Sequence, residues 1–154
     1  SSSFCKPYFA RFRPAQDPQI MYMVDVVNGY RGGRYGFISS HAANTFAVCM
    51  FLSLLVRHLY MTCSLVLWAV LCSYSRIYLG VHYPGDILFG ALWGILVGVG
   101  FYYLYAFLQR RFFQRKEVVS TQYTSSGYAV ADLDVFQTVL YFTYLVLAIR
   151  AVVI

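Results

Sequence analysis

The chain has 154 residues, of which 60% are hydrophobic, 19% aromatic and only 12% charged, and its formal net charge is +6. A soluble domain carries about 25% charged residues, so this composition argues against a soluble globular protein and favours a membrane protein. The positive charge is compatible with nucleic acid, but the aromatic residues lie within apolar runs rather than among the basic residues. Anionic lipid headgroups are therefore the expected partner, and nucleic acid is not.

Residues 4 to 36 are expected to form a loop outside the hydrocarbon core. Prolines, glycines and basic residues recur throughout this segment, and such residues interrupt regular structure. A short helix is expected only around Pro18 to Val27. The chain opens with serines and has no signal-peptide pattern, so we expect further sequence upstream of residue 1.

Four apolar helices are predicted after this loop. The first runs from about Ser40 to Arg57 and is short for a full span, and the second runs from Leu59 to about Ile77. The third begins at Pro84, a residue that suits a first helical turn, and ends near Phe113. The second and third fall in charge-free stretches close to the roughly 20 residues that a membrane span needs. The fourth occupies Val135 to Ile154.

These elements predict an all-α integral membrane helical bundle in three parts. Residues 1–113 form a core of one loop and three membrane helices, residues 114–134 a polar linker, and residues 135–154 an additional transmembrane helix. Gly90, Gly94 and Gly98 recur every four residues on the third helix, a spacing that lets another helix approach closely. Because successive helices alternate in direction, the starts of the first and third helices share one membrane face with the end of the second.

Three motifs lie at that face. They are Lys6 followed after six residues by Arg13-Pro14; Ser39-Ser40-His41; and Ser75-Arg76 followed after five residues by His82-Tyr83-Pro84-Gly85-Asp86. Phosphoryl transfer spreads negative charge over oxygens, so its catalysts need fixed cations and N–H donors. Lys6, Arg13 and Arg76 would supply the cations. Ser39 would supply a hydroxyl, and N–H groups at the helix start near Ser40 and His41 would face the anion.

The remaining groups of these motifs suit nucleophilic catalysis. Asp86 could hold one ring nitrogen of His82 protonated and leave the other free to attack phosphorus. His41 would then protonate the leaving oxygen, a contribution of about 10² to 10⁴-fold for a general acid. Each residue alone has an ordinary structural explanation, such as a helix cap for Asp86 or an interfacial position for Arg76, and only their combination favours catalysis. Arg11, Arg31 and Arg34 are interpreted as solvated loop charges.

The three motifs resemble the signature of the type 2 phosphatidic acid phosphatase family. The first and third match at every defined position, whereas the middle one has Ile38 where the family usually has proline and Ser40 where it usually has glycine. The resemblance covers roughly residues 6 to 108. It implies a membrane lipid phosphatase that uses a phosphohistidine intermediate and neither metal nor cofactor, and it implies that about two helices preceding the first motif are absent from this chain.

The expected reaction is hydrolysis of a phosphomonoester or pyrophosphate on a lipid of the phosphatidate, phosphatidylglycerophosphate, undecaprenyl pyrophosphate or lipid A type. The resemblance to this family also implies a bacterial inner membrane, with the site facing the periplasm or cell exterior. This orientation follows the positive-inside rule if several basic residues of the motif-bearing face bind phosphate, because Arg57 and the Arg110 to Lys116 cluster lie on the other face. Two alternatives remain open: a lipid phosphotransferase with the same site, and a non-catalytic membrane protein that binds lipid phosphate. The oligomeric state is also open.

Overall fold

A computed structural model of the chain describes residues 5–112 and 121–153. Its helices are α1 (Cys5–Phe9), α2 (Ser40–Val56), α3 (Leu59–Tyr78), α4 (Pro84–Phe112) and α5 (Val130–Val153). By length and composition, α3, α4 and α5 can each cross a membrane, and α2 is a shorter apolar helix. The prediction of an all-α membrane fold with four apolar helices is confirmed.

The predicted starts of α2, α3 and α4 agree with the structure, while three other predictions need correction. Helix α1 (Cys5–Phe9) lies in a segment predicted as loop. The helix expected around Pro18 to Val27 is wrong: the segment turns at Asp17, whose carbonyl accepts the N–H groups of Ile20 and Met21, and no helix continues from there. Tyr22 and Met23 are exposed in this segment, so it has no buried apolar stripe to stabilise a helix. Helix α5 begins five residues earlier than Val135. The predicted helix end at Phe113, residues 114–120 of the linker and Ile154 lie outside the described residues.

Local capping explains where α3 ends. Gly80 has a φ of +64°, its N–H donates to the carbonyl of Ile77, and the N–H of Val81 donates to the carbonyl of Arg76. These two bonds form a Schellman motif, in which a glycine in the left-handed region closes the last helical turn. The motif places Arg76 in the last turn of α3 and starts the short connection that carries His82.

Glycines bring α2 and α4 into close contact, as predicted from their spacing. A Cβ atom on Gly90 would lie 2.7 Å from the carbonyl oxygen of Ser39, and one on Gly98 would lie 2.6 Å from that of Ala47. A Cβ atom on Gly94 would likewise meet the carbonyl oxygen of Ala43. Only a residue without a side chain permits this backbone approach. The small-residue ridge therefore holds the starts of the two helices together.

Helix α5 contacts α3 through a polar network. The side-chain amide of Gln137 donates to the hydroxyls of Ser64, at 3.2 Å, and Tyr141, at 3.1 Å. Those two hydroxyls lie 2.7 Å apart. Such bonds between membrane helices stabilise association by about 0.6 to 2 kcal/mol each. Leu133 adds an apolar contact with the cluster formed by α2 and α3.

Candidate active site

The first motif is held by a short antiparallel pairing within the N-terminal loop. Phe12 pairs with Tyr35, the N–H of Arg13 donates to the carbonyl of Arg34 at 3.2 Å, and the N–H of Gly36 donates to the carbonyl of Arg11 at 2.9 Å. Side chains two residues apart in extended backbone project to the same side. The pairing therefore directs Arg11 and Arg13 toward the same region.

Two glycines shape the position of the Arg13 side chain. A Cβ atom on Gly32 would lie 2.7 Å from Nη1 of Arg13, and one on Gly36 would lie 3.2 Å from its Cγ. Nε of Arg13 donates to the carbonyl of Tyr35 at 3.2 Å. After Pro14, the N–H of Ala15 donates to the carbonyl of Gly80 at 3.2 Å, which ties the first motif to the turn that carries the third. The guanidinium is thus oriented by backbone on several sides.

The second and third motifs meet where α2 and α4 begin. The N–H of Ser39 donates to the carbonyl of Asp86 at 3.2 Å. The hydroxyl oxygen of Ser39 is fully buried and caps α2 by accepting the N–H of Ala42 at 3.5 Å. Its hydroxyl proton remains available for donation, so a phosphate contact by Ser39 stays a prediction. His41 and Ser40 follow in the first turn of α2, where His41 is exposed.

His82 and Asp86 form a buried pair at the start of α4, with exposed fractions of 3% and 0%. Nδ1 of His82 lies 3.6 Å from Oδ2 of Asp86, which is slightly longer than a hydrogen bond. The same Oδ2 accepts the N–H of Tyr83 at 3.1 Å. Asp86 therefore caps α4 and also faces His82, and its role in orienting the ring stays a prediction.

The predicted cations influence one another and the two histidines electrostatically: Lys6 and Arg13 act on His82, and Arg76 acts on Arg13 and His41. Burial lowers the pKa of Lys6, and the Arg13 guanidinium lowers it further. Burial also lowers the pKa of Arg13; Tyr30 and Asp86 oppose that shift and Arg76 adds to it. Mutual influence of this kind requires short separations, because charge interactions weaken with distance. Crowded cations repel one another, so an anion bound among them would be strongly stabilised.

Both histidines share this environment. Burial lowers the pKa of His82; the Asp86 carboxylate opposes the shift, and Arg13 and Lys6 add to it. His82 is therefore neutral near pH 7, the state in which an imidazole nitrogen can act as a nucleophile. His41 lies within electrostatic range of the other predicted groups, which are Arg76, His82, Lys6 and Arg13.

The guanidinium of Arg76 has a buried N–H group that is free to bind an anion. Its Nε is buried and has no hydrogen-bond partner among the described residues. An unpaired guanidinium N–H is costly to bury, and an anionic oxygen would satisfy it.

Among the described residues, no cluster of three or more His, Cys, Asp or Glu side chains could hold a metal ion.

Arg11 was missed as part of the site. The prediction of a solvated loop charge is wrong here, because Nη1 of Arg11 lies 2.9 Å from Oδ1 of Asp86, although 75 residues separate the two in sequence. The signal that could have indicated it is the Arg-Phe-Arg spacing, since extended backbone places Arg11 beside Arg13. Gly36 was also missed: a Cβ atom there would lie 3.2 Å from Oδ2 of Asp86 and 3.6 Å from Nδ1 of His82.

Comparison with known proteins shows the family of this chain. The family model of the PAP2 superfamily matches residues 1–110. The chain belongs to the PAP2 superfamily. The matched region contains all three motifs and helices α1 to α3 with nearly all of α4, whereas α5 lies beyond it.

Two curated relatives of this chain are named lipid A 4'-phosphatase. The protein from Porphyromonas gingivalis is 44% identical over 111 residues, covering 72% of this chain and 47% of the relative. The protein from Bacteroides thetaiotaomicron is 45% identical over 104 residues, covering 67% of this chain and 46% of the relative. The chain thus spans about half the length of the curated relatives it matches. No solved structure matches it.

Proposed function

We propose that this chain is the catalytic part of an integral membrane lipid phosphatase that hydrolyses a phosphomonoester or pyrophosphate of a lipid. The observation that carries this proposal is the convergence of Lys6, Arg13 and Arg76 on two histidines and a buried carboxylate at one end of a membrane bundle. Cations suited to phosphate stand beside a neutral imidazole suited to attack. Membership of the PAP2 superfamily supports the same chemistry.

In the proposed mechanism, a ring nitrogen of His82 attacks phosphorus while Asp86 holds the proton on Nδ1. A nitrogen–phosphorus bond forms, and the bond from phosphorus to the lipid oxygen breaks. His41 donates its proton to that departing oxygen. Water, deprotonated by His41, then attacks the phosphohistidine, the nitrogen–phosphorus bond breaks and inorganic phosphate leaves, which restores the neutral ring of His82 and the protonated ring of His41. The three cations stabilise the charge on the phosphoryl oxygens throughout.

Lipid A is the first substrate to test. Two relatives about 45% identical to this chain carry a name that specifies the 4'-phosphate of lipid A. The matches cover 72% and 67% of the chain. Phosphatidate, phosphatidylglycerophosphate and undecaprenyl pyrophosphate complete the substrate panel, since the same phosphate-binding groups would accept each of them.

We also propose that the site faces the periplasm from a bacterial inner membrane. On the site face, Arg11 pairs with Asp86, and Lys6, Arg13 and Arg76 are the proposed phosphate-binding groups. Because these charges would bind Asp86 or phosphate, they contribute little to the positive-inside rule. Arg57, Arg110 and Arg111 lie toward the opposite end of the bundle and favour a cytoplasmic location for that end. Labelling of single cysteines in intact cells would test this orientation, and cytoplasmic protection of a site-face cysteine would contradict it.

The decisive assay is phosphate release from this lipid panel by purified protein in mixed micelles. His82→Ala should abolish release, whereas His58→Ala should leave it unchanged, because His58 lies in the turn between α2 and α3, away from the site. Retained activity in His82→Ala would remove His82 as the nucleophile. Transfer of phosphate to an added lipid or sugar without release would make the protein a phosphotransferase. Tight lipid binding with no turnover by the wild type would make it a non-catalytic lipid-binding protein.

A further inference from the structure

The charge of Asp86 needs a cationic partner. Its side chain is fully buried, and an ionised carboxylate in such surroundings is strongly unfavourable unless it is paired. His82 is the weaker partner, because its Nδ1 lies 3.6 Å from Oδ2, beyond a normal hydrogen bond, and burial lowers the pKa of the ring although Asp86 opposes that shift. The ion-pair partner that contacts Asp86 is Arg11, whose Nη1 lies 2.9 Å from Oδ1.

We propose that Arg11 is a positioning residue of the reaction, which holds Oδ1 of Asp86 so that Oδ2 faces Nδ1 of His82. This role rests on the proposed function, in which Asp86 orients the nucleophilic imidazole. With Oδ1 held by Arg11 and Oδ2 bonded to the N–H of Tyr83, the carboxylate is fixed at both oxygens. Its rotation would otherwise move Oδ2 away from the ring, which already lies 3.6 Å from it.

The surroundings of Arg11 hold its guanidinium in place. The group stacks over the ring of Tyr83, with Cζ 4.5 Å from the ring centroid. The hydroxyl of Tyr83 in turn donates to Asp17 at 3.0 Å, and the carbonyl of Arg11 accepts the N–H of Gly36. A planar guanidinium can stack on an aromatic ring and bind a carboxylate together, which a lysine ammonium does less well.

The partial exposure of Arg11 suggests a competing role that can be tested. Its side chain is 47% exposed, so water screens the ion pair, and the guanidinium could instead bind substrate directly. A substrate ligand and a positioning residue differ in kinetics: loss of the first raises KM, and loss of the second lowers kcat at similar KM. The charged and titratable groups that surround the His82–Asp86 pair are Lys6, Arg11, Arg13, Arg76 and His41.

The test compares Arg11→Gln and Arg11→Lys with Arg34→Gln. Arg34 is an exposed arginine of the same loop, stacked on Phe12 rather than bound to Asp86, so Arg34→Gln controls for the loss of one loop charge. For release of phosphate from lipid A in mixed micelles, Arg11→Gln should lower kcat by about 10 to 10²-fold, as expected for a misplaced reacting group. Its KM should change by less than about twofold. Arg34→Gln should match the wild type.

The pH dependence gives a readout that a purely structural role would not change. Loss of the Arg11 cation makes protonation of the nearby His82 ring easier, so the acidic limb of kcat should move to higher pH by about half a unit to one unit. Arg11→Lys keeps the charge and should leave this limb in place while recovering only part of kcat. If Arg11→Gln leaves both kcat and the acidic limb unchanged, Arg11 does not position Asp86. A raised KM at wild-type kcat in Arg11→Gln would also overturn the positioning role. If Arg11→Gln does not fold, wild-type kcat in Arg11→Lys would overturn it.

A spectroscopic measurement separates this inference from the proposed function. Nitrogen NMR of histidine-labelled protein follows the His82 ring directly, since the chain has only 3 histidines. Arg11→Gln should raise the pKa of His82, and Arg34→Gln should not. If the wild type releases no phosphate from any lipid, the proposed function fails, yet an unchanged His82 titration in Arg11→Gln would still refute the Arg11–Asp86–His82 coupling.

Discussion

The close contact between α2 and α4 at Gly90 offers the sharpest structural perturbation of this site. In Gly90→Ala, the new Cβ atom would lie 2.7 Å from the carbonyl oxygen of Ser39, whereas ordinary contact begins near 3.4 Å. The helices would have to separate locally by about 0.7 Å, the difference between these distances. The 3.2 Å hydrogen bond from Ser39 N–H to the Asp86 carbonyl would then lengthen to about 3.9 Å, beyond hydrogen-bond range.

This separation should reduce both stability and activity. Overpacking destabilises by about 1 to 3 kcal/mol, and the higher helix propensity of alanine offsets up to about 1 kcal/mol of that loss. The displaced Ser39 directly precedes Ser40 and His41, so the second motif would shift relative to His82. Because a misplacement near 1 Å can lower a rate about 10²-fold, we expect kcat/KM of Gly90→Ala to fall by about 10-fold or more.

Two other glycines of α4 supply matched controls. A Cβ atom on Gly100 meets nothing within 4 Å, so Gly100→Ala should retain activity and stability. Gly98→Ala should destabilise the protein like Gly90→Ala, because its Cβ atom would lie 2.6 Å from the carbonyl oxygen of Ala47. That contact lies about 12 Å along α2 from Ser39, so activity should fall much less. Thermal stability in detergent and lipid A phosphatase assays would measure both effects, and wild-type behaviour of Gly90→Ala in both would refute the packing argument.

Three further outcomes are expected. Gly36→Ala should lower kcat by about 10-fold at similar stability, because its Cβ atom would lie 3.2 Å from Oδ2 of Asp86; an unchanged kcat would show that the loop yields freely. The acidic limb of kcat/KM should lie below about pH 6.5, because burial lowers the pKa of His82 and the ring then stays neutral at lower pH. An acidic limb well above pH 6.5 would contradict the assignment of His82 as the nucleophile. Gln137→Leu should lower thermal stability through the loss of its bond to Ser64 while leaving phosphatase activity intact, and loss of activity at full stability would assign α5 a role in the site.

Much of the bundle could be read from hydropathy and local capping. Charge-free runs of membrane length predicted α3 and α4, and Pro84 predicted the start of α4, because each signal depends on neighbours within one or two turns. The expected helix around Pro18 failed because composition alone does not show that Tyr22 and Met23 would be left exposed. Helix α5 starts at Val130, ahead of prediction, since Asp132 and Asp134 interrupt the apolar run at its start.

Residue chemistry and spacing by themselves determined the membrane class, the three motifs and the set of groups proposed to bind and attack phosphate. Only the tertiary structure decided that Arg11 pairs with Asp86, that Gly36 lies against His82, and that the backbone of Ser39 bonds to α4. The reason is that a charge pair across 75 residues leaves no periodic trace in the sequence. Such contacts arise when packed backbones bring distant segments within a few ångströms, and that geometry is a property of the whole fold.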